Sequence, residues 1–230
     1  MMNEDTPQEH QINNLVTEQE KKKMDRPNEN TGVHLQGHIK IWDPSSGEVL
    51  VDKRNAIHYE NFSEAMALSI ANKGYGYAHE MAFGNGGTSV DPTGVITYLP
   101  TNTSGSSASL YNQIYYKVID DNSIYNTDPQ KNYMEVRHIP GATYTDIFVS
   151  CLLDYGEPAD QAAFDNSTNL ADAYVFDELG IKGWSETGVE DSGKLLTHVI
   201  FHPIQKSLNR LIQIDYTIRV SAITNLSTTL

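Results

Sequence analysis

Apolar and polar residues alternate with a period of two from Val33 onward. Val33, Leu35, Gly37, Ile39 and Ile41 fall on one face, with His34, Gln36, His38, Lys40 and Trp42 on the other. Such alternation belongs to a half-buried strand. Asp43-Pro44-Ser45-Ser46-Gly47-Glu48 places Pro and Gly at turn positions, and Val49-Leu50-Val51 answers the first strand, so residues 33–51 predict a β-hairpin. The period then changes. Phe62, Met66 and Ile70 share one helical face, and Ala65 and Ala67 allow close packing. Residues 61–72 therefore predict a helix, with Asn61 as its cap, Glu64 reaching back as in a capping box, and Asn72-Lys73-Gly74 ending it.

Further strands are predicted at residues 77–83, 94–99, 113–119, 144–155, 173–182, 195–202 and 211–220. In the last, Ile212, Ile214, Tyr216, Ile218 and Val220 face one way and Leu211, Gln213, Asp215, Thr217 and Arg219 the other. About nine strands separated by Gly, Asn, Pro and Ser clusters predict a mainly β fold. The expected form is an antiparallel β-sandwich or barrel-like sheet pair carrying one short helix. Residues 101–109 read as a low-complexity loop.

The first 32 residues differ from the rest. Beyond methionines, their only large apolar residues are Ile12, Leu15 and Val16, among many charges. Such a segment buries too little apolar surface to offset its chain entropy. It predicts a disordered or arm-like N-terminus that orders against a neighbouring subunit, with a short helix possible over residues 14–24, where Glu18 and Lys22 stand at i,i+4. The expected organisation is an arm over residues 1–32 and a β-rich domain over residues 33–230.

Charge narrows the partners. With 30 acidic and 16 basic residues the net charge is −14, which argues against nucleic-acid specificity and against docking on an anionic membrane. No stretch approaches the roughly 18 apolar residues needed to span a bilayer. The N-terminus lacks the apolar core of a secretory leader. The single cysteine, Cys151, stands in the apolar run Ile147-Phe148-Val149-Ser150-Cys151-Leu152-Leu153 and reads as a small buried hydrophobe.

Candidate chemistry is sparse. His198 and His202 are spaced to share a ligand on a helix, but their segment reads as a strand that ends at Pro203, where they lie roughly 13 Å apart. His34 and His38 are separated in the same way. Gly84-Asn85-Gly86-Gly87-Thr88-Ser89 follows a strand as a phosphate loop would, yet it lacks the phosphate-contacting Lys and leads to Asp91-Pro92, so it reads as a turn. Asp120-Asp121-Asn122 and Asp165-Asn166 lack EF-hand spacing. No nucleophile elbow occurs. The expectation is a protein with no catalytic residues, cofactor or metal.

Residues 37–61, from Gly37-His38-Ile39-Lys40-Ile41-Trp42 through Ile57-His58-Tyr59-Glu60-Asn61, resemble the opening of virion structural proteins of tailed bacteriophages. Met81-Ala82-Phe83-Gly84-Asn85-Gly86-Gly87-Thr88 through Gly94 resembles them too. So do the closing segments Phe201-His202-Pro203-Ile204 and Leu211-Ile212-Gln213-Ile214-Asp215-Tyr216-Thr217-Ile218. The matching parts cover a minority of the chain. The resemblance implies a non-enzymatic, multicopy protein, found in the virion after assembly in the host cytoplasm. It would belong to the neck, tail, baseplate or fibre-attachment region and have other virion proteins and copies of itself as partners. Tyr111, Tyr115, Tyr116 and Trp184 are the candidate interface residues, with Tyr75, Tyr77 and Tyr98 as further members of the same surface. Two alternatives stand beside this. One is a capsid decoration protein. The other is a carbohydrate-binding module for host glycans, in which an exposed Trp184 in Gly183-Trp184-Ser185-Glu186 and clustered tyrosines would stack on sugar rings.

Overall fold

The computed structural model describes residues 31–158 and 173–224. Eleven strands and one helix follow in the order β1 (Thr31–Trp42), β2 (Val49–Ile57), α1 (Tyr59–Ile70), β3 (Ala78–Gly84), β4 (Thr88–Val90), β5 (Ile96–Tyr98), β6 (Gln113–Val118), β7 (Tyr133–His138), β8 (Tyr144–Leu153), β9 (Ala173–Gly183), β10 (Thr197–Ser207) and β11 (Ile212–Thr224). Nine of these strands form one curled antiparallel sheet, a half-barrel, in the order β6-β3-β9-β10-β2-β1-β11-β8-β7, and β4 pairs with β5. The mainly β fold with one helix agrees with the sequence pattern. The chain divides into two compact units. His34–Ser221 holds the sheet and helix. The second unit joins Met1–Val33 to Ala222–Leu230, and of it only residues 31–33 and 222–224, the ends of β1 and β11, are described. The arm predicted over residues 1–32 lies outside the described residues, except Thr31 and Gly32, which begin β1.

Alternation sets the core. Leu35, Ile39 and Ile41 of β1 are buried, as are Ile212, Ile214, Tyr216 and Ile218 of β11, and their sequence neighbours are less so. They join Met81, Phe83, Phe176, Leu179, Ile181 and Cys151 in one cluster with Phe62 and Ala65 of α1. Phe176 meets Phe83 and Phe201 edge-on at 5.5 and 5.6 Å, a geometry the ring quadrupoles favour. Burial pushes the Cys151 thiol up to about 12, so it packs as a hydrophobe. The predicted hairpin forms. Asp43 ties its turn by accepting from the backbone of Ser45, and Gly47 supplies the positive φ of 76°.

Four local expectations are corrected. The helix begins at Tyr59, and its cap is His58, whose Nδ1 accepts from the Asn61 backbone at 3.2 Å. Asn61 lies inside the first turn and donates to the Leu195 carbonyl at 2.9 Å. His58 can cap because its Nε2 meets the Gly105 carbonyl at 2.9 Å, which puts the proton on Nε2 and leaves Nδ1 an acceptor. Strand β10 runs through Pro203 to Ser207, with a register shift between Ile200 and Ile204 that accommodates the missing amide. Residues 133–138, where the sequence pattern predicts no strand, form β7, a sheet edge. The turn after β3 continues into the small β4–β5 hairpin.

Candidate functional site

Where the half-barrel stays open, α1 and the inner face of β7, β8 and β11 enclose an apolar cleft of about 820 Å³, within the size range of ligand pockets. The Phe62–Met66–Ile70 face of α1 forms one wall. Val136, Ile147, Val149, Ile218 and Val220 form the opposite wall. At one end the rings of Tyr77, His79, Trp184 and Tyr125 run in sequence, with His79 4.3 Å from Trp184 and Trp184 5.8 Å from Tyr125. The rim is strongly exposed for aliphatic residues: Ile70 84 %, Ile124 91 % and Val136 71 %.

The aromatic end is built by backbone ties. The Trp184 amide donates to the Tyr77 carbonyl at 2.7 Å, and the Ile119 and Asp120 amides donate to the His79 carbonyl. The turn that carries Ile124 and Tyr125 is held by Asp120, whose carboxylate accepts from Asn122 and whose carbonyl accepts from Ser123 and Asn126. His79 is almost fully buried, and its Nε2 meets Ser123 Oγ at 3.1 Å. Its Nδ1 lies 3.6 Å from Glu80 Oε2, without a hydrogen bond. Burial, and then the Asp120 charge, push the Tyr77 hydroxyl above its ordinary value. The polar groups at this end thus organise the turn, and the cleft itself offers apolar and aromatic surface.

The remaining buried charges serve the fold. Glu178 accepts from the amides of Gly86, Tyr111 and Asn112 and from His198. Asp177, its neighbour, accepts from Gly87 and from the amide and hydroxyl of Thr88. The glycine-rich stretch therefore wraps its amides around two carboxylates of β9, in the way such loops hold an anion. Burial alone would raise the Glu178 carboxyl. Its His198, Asn112 and Tyr111 hydrogen bonds outweigh that and hold it below the ordinary value. At the other end of the curl Lys117 pairs with Glu157 and donates to the Leu152 carbonyl. Lys206 is fully buried and donates to the carbonyls of Asp154, Glu157 and Ser207.

The residues that the sequence pattern singled out fall in separate environments. Tyr115 lies in the core, 5.7 Å from Phe83, because successive residues of β6 point to opposite faces. It is therefore not an interface residue of the monomer surface. Tyr116, next along, is half-buried on the other face. Tyr111 is exposed but tied, its hydroxyl donating to the Pro100 carbonyl at 2.7 Å and its ring near His198. Trp184 is half-buried against His79 rather than free in a loop, and it lines the cleft. His198 and His202 do lie on a strand; His198 is buried on Glu178, and His202 meets the Tyr98 hydroxyl. Among the described residues no group of three or more His, Cys, Asp or Glu is placed to hold a metal ion, and no helix is long and apolar enough to cross a membrane. Sequence reasoning missed His79, Ile124, Tyr125 and Val136. The shared face of Phe62, Met66 and Ile70, together with Tyr77 and Trp184, pointed toward the cleft, but its other wall comes from strands distant in sequence. Compared with known protein families, curated proteins and solved structures, the chain gives no match.

Proposed function

We propose that this chain is a non-enzymatic structural protein of a tailed-bacteriophage virion, assembled into the neck, tail or baseplate region beside other virion proteins and copies of itself. The observation that carries the reading is the apolar cleft with its exposed rim of Ile70, Ile124 and Val136. Contiguous apolar surface of this kind is retained where another molecule covers it. The buried Asp177, Glu178, Lys117 and Lys206 are committed to internal partners, which supports an assembly role over catalysis. The resemblance of residues 37–61 and 81–94 to virion proteins supplies the setting.

The test is cryo-electron microscopy of purified virions together with peptide mass spectrometry of the particle. The expected result is this chain at the neck, tail or baseplate, with the cleft covered by a neighbour. Absence from washed particles would sink the reading. High copy number spread over the capsid lattice would replace it with a decoration role.

Glycan binding is the second reading, favoured by the Trp184–Tyr125 ring pair beside Asp120 and Asn122 at the cleft mouth. If it holds, a glycan array gives a signal that Trp184→Ala abolishes, while assembly is unaffected. An array with no signal removes it.

A further inference from the structure

Strand β7 ends the sheet: β8 pairs with it on one side, and among the described residues no strand pairs with the other. Which of its backbone groups are free follows from the ladder. The Leu152 amide points toward the β7 side, since it donates to the Asn132 side chain at 3.0 Å. Alternate amides of a strand point the same way, so those of Ser150, Phe148 and Asp146 also face β7, opposite Tyr133, Glu135 and Arg137. Met134, Val136 and His138 are left with their N–H and C=O groups directed away from the sheet.

An open edge of this kind is a template for another strand. The side chains say which one fits. Glu135 and Arg137 lie on the outer face, about half exposed, and pair along their own strand at 2.9 Å. Arg137 also stacks over the Phe148 ring at 3.7 Å, which holds the guanidinium at the edge. When β7 is laid antiparallel on a second β7 with Val136 opposite Val136, Glu135 of each copy stands opposite Arg137 of the other. Both charges are then matched across the contact. The same register puts Met134 opposite His138, and every residue brought into a hydrogen-bonded pair is one whose backbone groups point away from β8 and pair with no strand among the described residues. The hydrogen-bond pattern admits the alignments that set Met134, Val136 and His138 opposite one another, and among them the charge pattern selects this one.

We infer that the β7 edge is a self-association surface whose occupant is the β7 edge of a second copy of this chain, related by a two-fold axis through Val136. The contact is isologous. It joins two nine-stranded sheets into one and brings the two clefts together, with Val136, which lines each cleft, covered at the join. The inference deepens the reading of a multicopy assembly protein, but it concerns the isolated chain. Its failure in solution leaves the virion experiment untouched, and the reverse also holds.

The test is sedimentation velocity of the full chain over a wide concentration range, with surface variants of β7. The parent protein is expected to show a monomer–dimer equilibrium. Glu135→Arg sets Arg against Arg twice in the symmetric contact and should weaken the dimer roughly tenfold or more. Arg137→Glu should do the same, and E135R/R137E together, which exchange the two charges, should restore the dimer. Val136→Pro removes an outward-facing amide without touching the β8 ladder. It should abolish the dimer while the circular dichroism spectrum and melting temperature stay near those of the parent. Val136→Cys should form a 136–136 disulfide under mild oxidation, since hydrogen-bonded antiparallel partners have Cα atoms about 5.5 Å apart. Cys151, the only other thiol, is buried. A parent protein that stays monomeric near millimolar concentration overturns the inference. So does a dimer that survives Val136→Pro, or one that the double charge exchange fails to restore.

Discussion

His198 Nε2 donates to Glu178 Oε2 at 2.9 Å, with both side chains sealed from solvent. The His198 Nδ1 atom accepts from the Asn102 amide at 2.7 Å, which fixes the proton on Nε2. The pair therefore joins three parts of the chain: β9, β10 and the loop at Asn102. With the Gly86, Tyr111 and Asn112 amides also on Glu178, the carboxylate anchors the loops over the outer face of the sheet.

Glu178→Gln replaces an acceptor oxygen by a donor facing donors. Loss of a buried, hydrogen-bonded charge typically costs about 3–5 kcal/mol, and here the neutral amide keeps half the acceptors, so about 2–4 kcal/mol is expected. The parent carboxyl titrates below its ordinary 4.5 in the folded chain. Its contribution is thus complete above about pH 4.5 and is lost as pH falls through the lower folded value. Urea unfolding of both proteins at neutral pH and at about pH 3 checks this. A Gln variant as stable as the parent at neutral pH would falsify the anchoring role.

Lys206 has the opposite sign. Burial brings its ammonium down to about 8 from 10.5, against the pull of Glu157 and Asp154. Below pH 8 both states are protonated, and the folded state carries the cost of the buried charge. Between 8 and 10.5 the unfolded chain binds more protons, so stability from this group rises with pH. Because the buried Tyr115 and Tyr216 hydroxyls are raised by burial and lower stability as pH climbs past 10, the gain is read between 8 and 10. The parent-minus-Lys206→Met difference in unfolding free energy should change across that window. A flat difference would show that the ammonium is solvated.

Gly180 sits in β9 where a Cβ would stand 2.3 Å from the Thr197 carbonyl oxygen, a backbone atom of the adjoining strand. Gly180→Ala must push β9 and β10 apart and should cost about 1–3 kcal/mol. For a chain of this size that is a drop of roughly 2–10 °C in Tm. Gly32 is the control: a Cβ added there meets no atom within 4 Å, and its Ala variant should melt like the parent. Equal melting of all three proteins would mean that the β9–β10 spacing is not fixed.

Ile70 and Ile124 separate surface from core. Truncating both to Ser should change stability by no more than about 0.5 kcal/mol each, as at exposed sites. Phe176→Ala, in the core, should cost about 3–5 kcal/mol. Under the proposed virion role, the rim variant should enter particles poorly, measured by its yield in assembled virions against the parent. Normal incorporation would remove the rim from the assembly surface.

Much of the fold was legible because strand alternation is local. The faces of β1 and β11 and the β1–β2 turn follow from residues that are neighbours in sequence, and burial alternates as the pattern requires. Strand β7 escaped because a charged edge strand has only one face to bury, and Glu135 and Arg137 occupy the other. The cap of α1 escaped because Asn61 is a good cap by residue type, whereas His58 becomes one only when the Gly105 carbonyl fixes its tautomer.

By itself, the sequence determined the mainly β architecture, the helix after the first hairpin, the net acidic charge and the burial of Cys151, all of which rest on periodicity and composition. Only the tertiary structure decided that the sheet curls without closing, that Tyr115 is core while Trp184 lines a cleft, and that the glycine-rich turn grips Asp177 and Glu178. The physical reason is range. The cleft joins α1 to β7, β8 and β11 across many residues, and which side chains meet there depends on strand order and register, quantities that no local pattern of residues encodes.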